Sequence, residues 1–517
     1  NMNNMRVSTN GGLVTENWFD LNASRYTASS TLQRMELLKT GYMGTLSLGW
    51  DNYLFLELTG RQERSSTLKD QSFFYPSANL SFLFSNAFRM PAWWNHGKLR
   101  LSYGVVGNAP ETYAANIIYE QGSDNGFTWN YVPSSWGNAN IRPEKKYEYE
   151  IGFESKFLNN RLGFDVSYYN NRVKDQILST PQPSTSGVKY VLMNVGEVAN
   201  EGWDISVSAT PVLTKNFRWD LTANYGIYRN KVVKLADGVP YLEISNIGGG
   251  GAKIQAVEGR PMGDIYVQVP QMNENGEYLV SDKGLYMNQT ELQRVGNINP
   301  DGVGGLFSSF SYKNIFLDFS IDFRIGGDVI NEMYQYSTAS GLTPESLQFR
   351  DTEHGGLSYY YPGNNNASGV PVQVDPSLGA GPNGETVYHD GVILPGVVAS
   401  TGEKNTRIIP AGYYYNQTYN WGTQPEQLTY RHSVFDNSYV KLRELTIGYQ
   451  FPEKLISKLG MTRLSVSVFG RNLFYFYKAL KNYDAESSVG TSWASQAVVG
   501  GSTTATRNFG VSLRASF

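Results

Sequence analysis

Cysteine is absent from the 517-residue chain, which excludes a disulfide framework, a thiolate nucleophile and a cysteine-ligated metal. Histidine is scarce. The four present, His96, His354, His389 and His432, show no metal-ligand spacing, and "TEHGG" at 352–356 lacks the second histidine of a zinc-helix motif. No run of about 18 apolar residues occurs, which excludes a membrane-spanning helix on length. Charge of one sign is missing too: 43 Lys and Arg stand against 46 Asp and Glu, so no nucleic-acid partner is expected. "GGGGAK" at 248–253 lacks the Gly-Lys-Ser/Thr ending of a phosphate loop and reads as a flexible loop. Paired carboxylates such as Asp318 and Asp322 share a strand face without convergent partners, so they do not read as an acid and a base. No enzyme, no cofactor and no metal site is expected. The opening residues, "NMNNMRVSTNGG", have no basic region followed by an apolar one, so an exported protein is not expected to begin there.

Aromatic residues and glycine are plentiful: 36 Tyr, 25 Phe, 10 Trp and 53 Gly. The dominant period is two. In "LDFSIDFR", Leu317, Phe319, Ile321 and Phe323 alternate with Asp318, Ser320, Asp322 and Arg324. "RLGFDVSYYNN" and "NFGVSLRASF" behave likewise. About 13 such segments are expected as strands, near 42–50, 53–63, 76–84, 98–106, 145–157, 161–173, 202–211, 217–229, 305–313, 315–325, 438–451, 463–471 and 507–517. A weaker fourteenth lies near 14–26. Short turns at 51–52, 159–160 and 313–314 contrast with long polar stretches at 107–144, 233–304 and 326–437. Helical patterning is confined to 31–39 and 452–460. In "HSVFDNSYVKLRELTIGYQFP" the apolar phase moves from even to odd positions at Arg443-Glu444, which predicts a β-bulge.

Alternation by itself also fits a soluble sandwich. The number of strands and the aromatic rings at their ends (Trp50, Tyr168, Trp219, Tyr449) favour an all-β, antiparallel transmembrane β-barrel with headgroup-level girdles. On that reading Asp318, Asp322 and Arg324 line a hydrated lumen, and the long stretches are extracellular loops. These loops are rich in aromatics. Trp129 and Trp136, Tyr359, Tyr360 and Tyr361, and Tyr413, Tyr414, Tyr415 and Trp421 stand among amide side chains. Three readings remain open for them: stacking on sugar rings or extended peptides, contact with a partner protein, or holding the loops folded.

"DNSYVKLRELTIGYQFP" followed by "LSVSVFGRNLFYFYK", together with "KLRLSYGVVGN", "NIRPEKKYEYEIGFESKFLNNRLGFDVSYYNNRVKDQIL", "GNINPDGVGGLFSSFSYKNIFLDFSIDFRIGGDV" and "NYDAES", resembles the SusC/RagA family. These are TonB-dependent transporters of the Bacteroidetes outer membrane. The resemblance runs from about residue 42 to the end. It implies a plugged barrel of about 22 strands, of which residues 1–517 would be the C-terminal part without plug or Ton box. It implies import of oligosaccharides or oligopeptides under a SusD-like surface lipoprotein. It also implies energy from TonB-ExbB-ExbD through an N-terminal barrel and plug portion that this chain lacks. An uncoupled porin or adhesion scaffold is the alternative, and a secreted glycan-binding β-protein a third. An open sheet edge in lipid is costly, so the chain is expected to need further strands to close.

Overall fold

The computed structural model describes residues 2–69, 71–124, 127–420, 429–501 and 504–517. Alternating apolar and polar side chains suit a wall wet on one side only, and the strands obey that pattern. Two strands, β1 (Met2–Leu13) and β2 (Ser24–Met35), pair with each other. Thirteen more form one antiparallel sheet in strict chain order. They are β3 (Lys39–Trp50), β4 (Leu54–Ser65), β5 (Ser72–Phe82), β6 (Trp94–Asn108), β7 (Glu144–Phe157), β8 (Leu162–Lys174) and β9 (Glu197–Leu213). The sheet continues through β10 (Phe217–Lys234), β11 (Gly302–Tyr312), β12 (Ile315–Ile325), β13 (Tyr439–Gln450), β14 (Arg463–Lys478) and β15 (Asn508–Ser516). Each of the thirteen expected segments falls on one of these strands. Among the described residues, β3 pairs only with β4 and β15 only with β14, so the sheet has two edges.

Two expectations fail. Residues 31–39 are not helical: they run from β2 into β3, because the alternation of "RYTASSTLQRM" continues the strand. Residues 14–26 are not one strand: 14–23 hold the connection between β1 and β2, with a short 3-10 turn at Leu21–Ala23 whose Asn22 amide donates to the Asp20 side chain, and only 24–26 belong to β2. The helical turn at 452–460 is present as Glu453–Ile456 and Ser457–Leu459.

One face of the sheet is apolar and bare. Val511 is 71% exposed and Leu513 69%. Outward rings stack across strands, Trp219 on Phe310 at 5.4 Å and Phe310 on Phe319 at 6.2 Å. The other face buries charge: Lys441 is 2% exposed. Apolar side out and ionic side in is the reverse of a water-soluble sheet and the pattern of a membrane barrel wall.

The turns at one end are tight. Asp51 and Asn52, Leu158 to Asn160, and Lys313 all adopt positive φ in loops of two to four residues, as tight hairpins require. At the opposite end stand the long connections. The bulge lies where the phase shift placed it: Ser320 pairs with Glu444 and Ile321 with Leu442, leaving Arg443 as the extra residue.

Candidate functional site

The long connections fold into bodies of their own. Residues from 235–301, 326–438 and 479–507 share one apolar core, in which Ile254, Ile265, Ile330, Val434 and Val498 meet. Small sheets support it. Asp328–Asn331 pairs with Val434–Asp436 and with Val498–Val499, so the last two loops are stitched by backbone. Leu279–Val280 pairs with Val397–Val398, which ties in the first. A second body gathers Leu68, Phe73 and Ile141 with Ile177 and Leu192. "GGGGAK" is no free loop: a 3-10 turn at 248–250 leads into the buried strand Ala252–Val257, because Ala252 and Ile254 plug the shared core.

A cluster of charges fixes the last loop to the wall. The bulge turns Arg443 inward, and its Nε donates to Asp322 Oδ2 at 2.5 Å. Its two terminal nitrogens grip the Glu486 carboxylate at 2.6 and 3.0 Å. Lys441 Nζ donates to the same carboxylate at 2.5 Å and lies 4.7 Å from the Tyr475 ring centroid. The Tyr475 hydroxyl donates to Asp484 at 2.5 Å, and Asp484 also accepts the amides of Glu486 and Ala505. Burial alone pushes the Glu486 carboxyl up, but the bonds from Arg443 and Lys441 outweigh it and hold it below the ordinary glutamate value. Burial, too, opposes ionisation of Asp484, and the Tyr475 hydroxyl and two backbone amides reverse the direction. The charges that interrupt the apolar run of β13 therefore bind the "NYDAES" stretch.

On the inner wall two hollows of about 650 and 600 Å³ adjoin, and Asp204 and Tyr228 line both. Asp322 and Arg324 line the first. Arg324 donates to the carbonyls of Gly326 and Ile298, so it also seats the end of the 235–301 loop. Asp318 accepts from Ser309 Oγ at 2.6 Å on the same face. Arg100 bridges Asp165 and Glu154 at 2.6 and 3.5 Å. Neither Arg100 nor Glu486 is singled out by the sequence alone. Glu486 lies 43 residues from Arg443, and no local pattern marks the pairing.

The loop aromatics divide. Tyr359 is buried, donates to Asp390 at 3.1 Å and stacks on Tyr388. Tyr415 is buried on the helix Ala411–Tyr419, and its hydroxyl donates to the carbonyls of Glu345 and Gln348. Tyr413 and Tyr414 pack against a small core around Leu285 and Ile409, and Tyr360 and Tyr361 are half-buried. Tyr359 and Tyr415 are thus buried, with their hydroxyls bonded inside the loop body. Trp129 remains exposed on the hairpin formed by Glu120–Asp124 and Phe127–Tyr131. Trp136 is half-buried and makes an edge contact with Tyr119 at 5.8 Å. Trp421 lies outside the described residues. Among the described residues no cluster of His, Asp and Glu could hold a metal.

The family profile described as "TonB dependent receptor-like, beta-barrel" matches residues 4–265. TonB-dependent receptor P3 of Formosa agariphila is 22% identical over 494 residues, covering 87% of this chain and 42% of the relative. TonB-dependent receptor SusC of Bacteroides thetaiotaomicron is 27% identical over 256 residues, covering 43% of this chain and 24% of the relative. The solved structure of the RagAB peptide transporter superposes with a TM-score of 0.70 at 18% identity, over 97% of this chain and 50% of that one. The superposition carries the fold. The chain spans less than half the length of these curated relatives and half of the solved chain.

Proposed function

The chain belongs to the TonB-dependent receptor β-barrel family, and on that premise we propose that it forms the greater part of the wall and mouth of a SusC-like outer-membrane importer. The observation that carries this reading is the inside-out wall under a folded mouth. The apolar outer face would meet lipid, the charged inner face would line a wet path, and the loops that share a core would form its mouth. Such a mouth can capture and orient a solute, whereas a passive pore needs only an unobstructed lumen. The two open edges, β3 and β15, would be completed by further strands, since unpaired backbone groups in hydrocarbon cost several kcal/mol each. A plug associated with those strands would couple release to TonB and ExbB-ExbD. Substrate would be an oligopeptide or oligosaccharide held between the loops and a SusD-like lipoprotein, and the exposed Trp129 hairpin is one surface suited to such contacts.

The test is genetic. Deletion of the gene should abolish growth of the parent bacterium on one class of oligomer as sole nutrient, and loss of TonB should do the same. Growth that survives loss of TonB would favour the porin alternative.

A further inference from the structure

The outward face of the wall changes character toward the end that carries the long connections. Across β6 to β10 one rung of outward positions holds Leu101, Ile151, Tyr168, Trp203 and Ile227. The Tyr168 ring lies 4.9 Å from Trp203 and 6.4 Å from Tyr149, so aromatic side chains close the apolar belt there. Beyond them the same outward phase carries Lys145, Arg172, Lys174, Arg229 and Lys231 against Glu197 and Glu201. At the tight-turn end the corresponding positions bear no charge: Phe157, Leu162, Phe217, Tyr312 and Ile315. Aromatic rings followed by cations mark the level of lipid headgroups.

A hollow of about 220 Å³ sits at this boundary on the outer face, lined by Tyr103, Tyr147, Tyr149, Asn170, Arg172 and Lys174. Glu148 also borders it, but its carboxylate belongs to the inner face, where Lys146 and Asn171 donate to it at 2.6 and 3.1 Å. Glu197 stands opposite Lys174 and is taken by one nitrogen of Arg172 at 3.0 Å. On its other side Lys174 faces Lys145 directly, like charge against like, a repulsion that an anion seated beside them would relieve. The other acids of this rim are engaged elsewhere: Glu144 by Asn108 and the Ile177 amide, Asp175 by Arg142, and Glu201 by the Tyr168 hydroxyl.

Every polar side chain lining the hollow can donate: a guanidinium, an ammonium, an amide and three phenol hydroxyls. A phosphate, which offers only acceptors and negative charge, suits such a set. The apolar wall continues below it through Ile151 and Val166. An occupant that is anionic at one end, apolar at the other and flush with the wall is a lipid. We propose that this outward hollow seats the phosphate of a membrane lipid whose chains lie along the wall beneath it. The site is on the opposite face of the sheet from the import path, so it stands or falls separately from the importer reading.

The full-length gene product is purified in a neutral detergent and titrated with lipid A and with its dephosphorylated counterpart. Bound lipid is counted by native mass spectrometry. Half-occupancy by the phosphorylated lipid is expected at about tenfold lower concentration. In the double variant Arg172→Gln/Lys174→Gln, at two exposed positions, that ratio should fall toward one. Lys313→Gln, at the tight-turn end, should leave it unchanged. Inorganic phosphate at the same concentrations should not displace the lipid. If the double variant fails to fold, the two lipids compared on the wild type still decide. Equal binding of the two lipids, an unchanged ratio in the double variant, an equal loss in Lys313→Gln, or displacement by inorganic phosphate overturns the lipid site and leaves the importer standing.

Discussion

Arg443 on wall strand β13 and Glu486 on the loop that follows β14 meet through both terminal guanidinium nitrogens at 2.6 and 3.0 Å. The bulge makes this possible, because the extra residue brings Arg443 to the same side as Lys441. Truncating Glu486 to Ala leaves a buried lysine uncompensated and should cost about 3 kcal/mol locally. Proteolysis of the 479–507 loop should accelerate accordingly. Adding Lys441→Met should restore part of the protection, because removing both partners is cheaper than stranding one. Unchanged proteolysis in Glu486→Ala would remove the clamp from the account.

The same clamp should respond to pH. Asp484 and Glu486 are both held below their ordinary values in the folded chain. A carboxyl lowered on folding contributes stability above its unfolded value, about 3.9 for Asp and 4.3 for Glu, and loses that contribution as pH falls through the folded value. Protection factors of the 479–507 loop amides, with exchange rates corrected for their intrinsic pH dependence, should be flat from neutral pH to about 5 and fall below about 4. Glu486→Gln should already be loose at neutral pH and show a weaker fall. A loop equally protected at pH 3 and pH 7 would contradict this.

The two faces of β12 can be told apart by chemistry, since the chain brings no cysteine of its own. Single cysteines at Asp318, Ser320 and Asp322 should react with a water-soluble maleimide in membranes, and those at Leu317, Phe319 and Ile321 should not. Arg at Phe319 should destabilise by about 2–4 kcal/mol if it sits near the midplane, and Arg at Ser320, opposite Glu444, should be nearly neutral. Uniform labelling along the strand would rule out a barrel wall here.

The strands were legible because a wall wet on one face must alternate. "LDFSIDFR" states its two faces residue by residue, and the phase shift at Arg443 announced the bulge. The misread segments, 14–26 and 31–39, are short and lie at element ends, where "TLQRMELLK" satisfies a helical and an extended pattern equally. The loops were legible as loops and no further. Their common core joins Ile254, Ile330 and Val498 across hundreds of residues, and no local period records such a meeting. The aromatic candidates show the same limit. Composition gives an aromatic residue the same weight whether it is buried like Tyr359 or exposed like Trp129.

Those aromatics should separate under mutation. Tyr359→Ala and Tyr415→Ala should each loosen the loop body by about 3 kcal/mol, and Tyr415→Phe by about 1 kcal/mol through loss of its hydroxyl bonds. Trp129→Ala should change stability by less than about 0.5 kcal/mol while weakening capture of solute or partner. Thermal unfolding and solute binding, measured on the same membranes, distinguish the two effects. A Trp129 variant that unfolds early would assign that ring to the fold instead.

The most direct test of the central claim is uptake of a labelled oligomer by intact cells with and without proton-motive force. The account predicts saturable uptake that requires this gene product and stops when the inner membrane is uncoupled. Uptake that is linear in concentration and indifferent to the uncoupler would contradict it.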